Sequence, residues 1–78
     1  MSKAGLTHKQ REIYDFLRLY HKAHGVYPSI REIGSGLIEG RQVLSKRGHT
    51  SVHRMMGALQ ERGWIDVLPH RPRGITIL

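Results

Sequence analysis

The side chains best suited to chemistry in this sequence are cations that gather around one short stretch. Arg41, Lys46, Arg47 and Arg54 lie there with no acidic residue between them. The whole chain carries 13 Lys and Arg against 6 Asp and Glu, a formal charge of +7 in 78 residues. So large a positive charge on so short a chain indicates a polyanionic partner. The alternative is a charge that serves only solubility.

Helical spacing separates apolar from polar side chains in the stretch around these cations. Apolar residues recur at the i, i+3, i+4 and i+7 positions of a helix: Val52, Met55, Met56 and Leu59. The same rotation places polar or small residues on the other side: Thr50, His53, Arg54 and Gly57. We predict a helix over residues 50–62, ended by Gly63, that can present hydroxyl, imidazole and guanidinium groups to a DNA major groove. The alternative is an ordinary amphipathic helix with a solvated outer face.

Paired histidines raise the question of a metal site. His21 and His24 are spaced i, i+3, and His49 and His53 are spaced i, i+4. Structural zinc sites take four ligands, often with cysteine, and this chain has no cysteine. We therefore predict no metal and no cofactor. We interpret His24 as an interior or helix-capping residue, and His49 and His53 as donors to phosphate or base.

Patterns that indicate catalysis or membrane insertion are missing from the sequence. The segment GSGLIEG follows helical rather than strand sequence, so it is not a phosphate-binding loop. No strand-to-helix turn presents a serine nucleophile, and the 6 acidic residues are too scattered to hold the metals of a nuclease. No apolar stretch approaches the ~18 residues of a membrane span. We predict a protein that is not an enzyme, takes no small-molecule substrate and works in the cytoplasm at the nucleoid.

The elements that hold the predicted binding helix begin with a helix near the N-terminus. Thr7 and Gln10 have the spacing of a capping box, and Gly25 supplies a stop, so we predict a helix over residues 8–24. Its apolar residues share one face: Ile13, Phe16, Leu17 and Tyr20. That face is expected to form the core, which makes its aromatic rings unsuitable as a stacking platform for RNA bases.

A second capping box, Ser29 with Glu32, predicts a helix over residues 30–38. Ile30, Ile33 and Leu37 would form its buried stripe. The segment 39–49 then loses periodicity, and we predict an extended, basic, partly mobile loop whose cations contact phosphates. A solvated surface loop is the alternative.

The C-terminal segment, residues 64–78, predicts a β-hairpin. Trp64–Leu68 and Gly74–Leu78 are rich in β-forming residues and flank a turn zone that contains prolines. Placed after three helices, such a hairpin is a wing. Arg71 and Arg73 near its tip would lie over a phosphate strand or at the minor groove. A hairpin whose arginines are merely solvated is the alternative.

Taken in order, the stretches LTHKQREIYDFL, YPSIREIG, and TSVH followed by ALQERGWI and RPRGITIL resemble the N-terminal DNA-binding domain of LexA repressors. These repressors regulate the bacterial SOS response, and PSIREIG and TSVH are similar to the form found in Gram-positive bacteria. The resemblance covers the chain apart from residues 38–49. It implies an α+β, mostly helical domain over residues 1–78: a three-helix winged helix-turn-helix with a C-terminal two-stranded β-hairpin wing.

The resemblance also implies a set of DNA contacts. By position, the base-reading residues fall on Thr50, Ser51, His53 and Arg54, with wing contacts near Arg71 and Arg73. To these we add a set of expected contacts to the DNA backbone: Ser29, Arg41, Lys46, Arg47 and His49. The implied partner is double-stranded DNA, bound most efficiently by a homodimer on an inverted repeat.

Two departures from the family pattern affect these expectations. The turn before the third helix is longer than the family's, which can shift the docking geometry. The family continues into a self-cleaving peptidase domain that also dimerises the repressor, and we expect no autoproteolysis from these 78 residues. The chain would be a short regulator, encoded by a phage or mobile element, or a shortened form of a longer one. The alternative function is a winged-helix protein-interaction module, such as a small phage protein that binds a host regulator or polymerase.

Overall fold

A computed structural model describes residues 5–68, 71 and 73–78. Within this part of the chain, three helices and two short antiparallel hairpins follow one another. In chain order the elements are α1 (His8–His24), α2 (Ile30–Ser35), β1 (Leu37–Ile38), β2 (Arg41–Gln42), α3 (His49–Glu61), β3 (Ile65–Val67) and β4 (Ile75–Ile77).

The core lies where one face of each helix meets the others and the second hairpin. The buried hydrophobic residues are Ile13, Tyr14, Phe16, Leu17, Tyr20, Ile33, Ile38, Leu44, Val52, Met56, Leu59, Ile65 and Ile75. The predicted stripe of α1 is therefore confirmed. Tyr14 joins it through an edge-on contact with Trp64, whose ring centroid lies 5.1 Å away. Such a contact fixes the N-terminal helix against the start of β3.

Both predicted capping boxes are confirmed. The Gln10 amide donates to the Thr7 hydroxyl at 3.2 Å, and the Thr7 amide donates to the Gln10 side chain at 3.1 Å. At the second box, the Glu32 amide donates to Ser29 Oγ at 3.2 Å and the Ser29 amide donates to Glu32 Oε1 at 2.8 Å. Each pair satisfies two amide groups that a helix start leaves without a partner, so the first turn of each helix begins where the sequence predicts.

The second helix ends at Ser35, earlier than predicted. Gly36 adopts a left-handed φ of 70° and its amide donates to the carbonyls of both Glu32 and Ile33. A β-carbon at Gly36 would overlap the carbonyl oxygen of Leu44, so the backbone approaches closely here. As a result Leu37, predicted in the buried stripe, is 40% exposed, while Ile38 takes the core position at 8%.

The segment after α2 is not the extended, partly mobile loop that the sequence analysis predicts. Leu37 pairs with Gln42, and Ile38 pairs with Arg41, in a small antiparallel hairpin. Beyond it the amides of Val43 and Leu44 both donate to the Gly36 carbonyl, at 2.9 and 3.1 Å. Leu44 is 4% exposed, which anchors the segment in the core. The prediction was wrong because the one buried residue of this stretch has no periodic apolar neighbours to reveal it.

The third helix and the wing follow the sequence prediction closely. α3 begins one residue early, at His49, and Gly63 follows it with a left-handed φ of 81°. In the wing Ile65 pairs with Ile77 and Val67 pairs with Ile75. The prolines predicted for its turn lie outside the described residues. Three helices followed by this hairpin form a winged helix-turn-helix, an α+β fold.

Candidate nucleic-acid interface

The outer face of α3 is available to a partner because its inner face fills the core. Val52 and Leu59 are fully buried, and Met56 is 3% exposed. The opposite side of the helix carries Thr50, His53, Arg54 and Gly57, all exposed, while Ser51 is half-buried at its edge. The periodicity argument for this helix is thus confirmed, and five of its first six residues, all but Val52, have side chains that can form hydrogen bonds.

The N-terminus of α3 adds a site for negative charge. The helix begins after Gly48, whose lack of a side chain leaves the first turn without a side-chain cap. No acidic residue occurs in that turn. The amide groups at the start of this 13-residue helix therefore have no side-chain acceptor from the N-cap residue, and they lie at the positive end of the helix dipole. An oxygen of a phosphate group is a suitable acceptor for them.

A basic cleft lies between α2 and this helix start. Its lining is Arg31, Gly34, Ser35, Lys46, Arg47, Gly48 and His49. A second hollow adjoins it, lined by Ser29, Ile30, Arg31 and His49. The structure therefore brings Ser29 into the neighbourhood of three other predicted backbone contacts from a later part of the sequence: Lys46, Arg47 and His49. Neither lining includes a carboxylate, so the electrostatic potential of the cleft favours anions.

Arg31 belongs to this cleft and was missed by the sequence analysis. It lines both hollows and is exposed. The signal that could have found it is its position two residues after the Ser29 cap and outside the stripe of Ile30 and Ile33. A cation at the start of a helix is unfavourable for the helix itself.

Arg47 differs from the other cations of the cleft in its packing. Its side chain is only 14% exposed, and its Nη2 lies 4.0 Å from Glu12 Oε1 on α1. Its amide donates to the Gly34 carbonyl at 2.9 Å. Arg47 therefore connects α1, α2 and the segment before α3, and its positive charge is partly offset by Glu12.

Arg41 lies on a different surface from the basic cleft. It lines a groove between α1 and the first hairpin, together with Leu19, Lys22, Ala23, Ile38, Glu39 and Val43. Leu19 and Val43 are 49% and 45% exposed, so this groove is apolar as well as charged. The structure does not bring Arg41 together with the other predicted contacts.

The two wing arginines also differ from each other. Arg71 is exposed. Arg73 instead binds Glu32 of α2 with two hydrogen bonds, from Nη1 to Oε1 at 2.7 Å and from Nη2 to Oε2 at 3.0 Å. Burial of Glu32 acts to raise the pKa of its carboxyl, but hydrogen bonds from Arg73, Ser29 and Tyr20 prevail and lower that pKa to about 2. Glu32 is therefore ionised at any physiological pH.

The histidines that the structure describes do not assemble a metal site. Within the part of the chain that the structure describes, no three His, Asp or Glu side chains come close enough to hold a metal ion. His24 is exposed rather than interior, with its ring 4.4 Å from that of Tyr20, because the end of α1 extends beyond the core. The rings of His49 and His53 lie 5.6 Å apart on the outer face of α3. None of the described helices is long and apolar enough to cross a bilayer.

Fold and surface together define the class: a winged helix-turn-helix whose third helix presents a polar, cationic face beside a basic cleft. A family model described as the LexA DNA binding domain matches residues 3–74, and the chain belongs to this family. The matched family is a DNA-binding domain rather than a catalytic one.

Curated relatives agree with the family match. The chain is 38% identical to a LexA repressor of Cereibacter sphaeroides over 73 residues, which cover 94% of this chain and 29% of that protein. It is 37% identical to a LexA repressor of Bacillus mycoides, with 94% and 32% covered. For the LexA repressor of Novosphingobium aromaticivorans the identity is 34%, with 94% and 28% covered. The chain thus spans about three tenths of the length of the curated relatives it matches.

Proposed function

We propose that this chain binds a specific sequence in double-stranded DNA and represses transcription by occluding a promoter. The observation that carries the proposal is the exposed face of α3, which presents Thr50, His53 and Arg54. These residues lie in the first two turns of a helix whose start has no side-chain cap and adjoins the basic cleft. Membership of the LexA DNA-binding domain family supports the same conclusion. The chain acts by binding, without catalysis.

Base recognition falls to the first turns of α3. Arg54 is long enough to donate two hydrogen bonds to the O6 and N7 atoms of a guanine in the major groove. Thr50, Ser51 and His53 contact neighbouring bases or the sugar-phosphate backbone. Gly57, one turn beyond His53, has no neighbouring atom within 4 Å of the position a β-carbon would take. Its bare backbone allows the helix to lie deep in the groove.

Phosphate binding falls to the basic cleft on one side and the wing on the other. Ser29, Arg31, Lys46 and His49 hold one strand together with the first amides of α3. Arg71 reaches the other strand from the wing. Arg47 contacts a phosphate only if it leaves Glu12, from which its Nη2 lies 4.0 Å away.

Arg41, on a separate groove, contacts DNA only beyond this footprint. A single module of this size buries roughly 600–1,000 Å² on DNA, which is a small interface. We therefore propose a homodimer on an inverted repeat, acting in the cytoplasm at the nucleoid, since two half-sites on one face of the duplex multiply the contacts without a larger domain.

The experiment that tests this function is selection of bound duplexes from a random DNA pool. We expect an enriched motif, and a palindrome within it if the protein binds as a dimer. Affinity for that motif should fall with salt, with log K decreasing by about 0.9 for each contacted phosphate per decade of salt. Failure to enrich any sequence would refute specific DNA binding. Binding to a protein partner with an affinity that does not change with salt would instead support the alternative function, a winged-helix protein-interaction module.

A further inference from the structure

The carboxylate of Glu32 joins three elements that the sequence separates. It lies on α2 and accepts a hydrogen bond from the hydroxyl of Tyr20 on α1 at 2.8 Å. It also accepts two hydrogen bonds from Arg73, just before β4. The Ser29 amide, at the start of α2, donates to it as well. A single side chain therefore fixes the wing, α1 and the phosphate-binding end of α2 to one another.

The Arg73 guanidinium is committed to this junction. Nη1 donates to the Tyr27 carbonyl at 3.0 Å in addition to Glu32. Together with the bond from Nη2, three of its five N–H donors are used within the protein. The two side chains of the pair are 43% and 31% exposed, so part of the pair is shielded from water. A planar guanidinium held at both terminal nitrogens has a defined orientation, whereas a cation held at a single point can rotate.

The charge of the pair argues against a phosphate contact by Arg73. Glu32 carries a full negative charge, and it lies within 3.0 Å of both terminal nitrogens of Arg73. The pair is neutral as a unit, so its attraction for a DNA phosphate is small compared with that of exposed Arg71. Release of Arg73 toward DNA would leave Glu32 as an unpaired anion close to the phosphates.

We infer that Arg73 is a positioning residue rather than a phosphate contact: it locks the wing to α2 through Glu32 and so sets the distance between the two phosphate-binding sides of the domain. This lock adds to the burial of Ile65 and Ile75, and it is useful because the strands of the wing are only three residues long each. A hairpin this short holds its orientation poorly without an additional tie. Because the lock is made in the free protein, the wing loses less freedom on binding DNA. This inference rests on the proposed DNA-binding function.

The test measures affinity for the selected duplex against salt for wild type, Arg73→Ala, Glu32→Gln and the double variant. Gln at position 32 keeps an oxygen that can accept from the Ser29 amide, so the capping box survives while the ion pair is lost. Arg71→Ala is the matched control, since it removes the same charge from the exposed part of the wing. Affinities are corrected for the folded fraction, measured by urea unfolding.

We expect Arg73→Ala to weaken binding about two- to tenfold, with no change in the salt slope, because no phosphate contact is lost. Glu32→Gln should weaken binding in the same direction, and the double variant should be no worse than Arg73→Ala alone. Arg71→Ala, in contrast, should reduce the salt slope by about 0.9. Arg73→Lys, which keeps the charge but not the two-point contact, should behave like Arg73→Ala.

Three outcomes would overturn the inference: a salt slope reduced by about 0.9 in Arg73→Ala, restoration of affinity by Arg73→Lys, or tighter binding by Glu32→Gln. Each would make Arg73 a phosphate contact that Glu32 merely opposes. All of them presuppose that the wild type binds its selected duplex. Failure of wild-type binding itself would therefore count against the proposed function, and it is distinguishable from these results.

Discussion

The two hairpins that flank α3 are held to the protein in different ways. The first, β1–β2, is anchored by the residues that come directly after it. The amides of Val43 and Leu44 donate to the Gly36 carbonyl, and the Leu44 side chain is buried. The second, β3–β4, is held to α2 by the ion pair between Arg73, which lies just before β4, and Glu32. Burial and backbone bonds are insensitive to salt and to mild acid, whereas an ion pair depends on both. Both hairpins therefore contribute to the core, the first through Ile38 and the second through Ile65 and Ile75, but the second has in addition a tie that depends on charge.

The largest expected effect concerns the anchor of the first hairpin. Gly36→Ala should lower the free energy of unfolding by about 3 kcal/mol or more, because a β-carbon would overlap the Leu44 carbonyl at a left-handed φ. Gly40→Ala is the matched control: its φ is also positive, at 79°, but no atom lies within 4 Å of the new carbon. It should cost only about 1 kcal/mol. Equal losses in urea unfolding would show that close packing at Gly36 is unimportant.

The helix between the hairpins should provide the largest effect on binding. Arg54→Ala is expected to cost about 1–3 kcal/mol on the selected duplex and much less on random DNA, since a base contact is lost. Arg18→Ala, which removes an exposed cation from α1, is the control and should change both affinities little. The measurement is a titration at fixed salt. A loss of the same size on both DNAs would mean that Arg54 contacts only phosphate.

Acid should weaken the tie between Arg73 and Glu32 and leave the burial that anchors both hairpins unchanged. The pKa of Glu32 is lowered in the folded protein to about 2 from its usual value of 4.5, so its stabilising effect is complete above pH 4.5. That effect is lost as pH falls from 4.5 toward 2, where the carboxylate becomes protonated. Wild type should therefore lose stability more steeply over this range than Glu32→Gln. Parallel pH profiles for the two proteins in urea unfolding would contradict a strong Arg73–Glu32 pair.

The smallest expected effect is that of a substitution in the first hairpin, which we expect to lie farther from DNA than the wing. Arg41→Ala should leave the salt slope unchanged and alter affinity by less than about 0.5 kcal/mol, because Arg41 lies on the groove beside α1. Arg71→Ala is the comparison, because it should remove one phosphate contact and lower the salt slope by about 0.9. A lower slope for Arg41→Ala would place the first hairpin on DNA as well, and it would extend the proposed footprint.

Local patterns were enough to predict the helices and their starts. The capping boxes of Thr7 and Ser29 and the left-handed Gly25 and Gly63 lie within one turn of the boundaries they set, so a short sequence window contains all the necessary information. The buried stripe of α3 was predicted for the same reason. The exposed face of α3 followed from that stripe, since the two faces of a helix are related by a fixed rotation.

The sequence did not reveal the first hairpin or the partner of Arg73. Leu44 is buried without apolar periodicity around it, and Gly36 ends a helix whose pattern continues to Leu37. The contact between Arg73 and Glu32 joins residues 41 positions apart. No local window includes both residues, so Arg71 and Arg73 appeared equivalent.

The amino-acid sequence by itself indicated a polyanionic partner, through a positive charge of +7, and predicted which face of α3 is exposed. Only the tertiary structure decided which cations are open to that partner. A positive side chain binds a phosphate only if no carboxylate of the same protein holds it first, and distant residues become neighbours only when the chain folds.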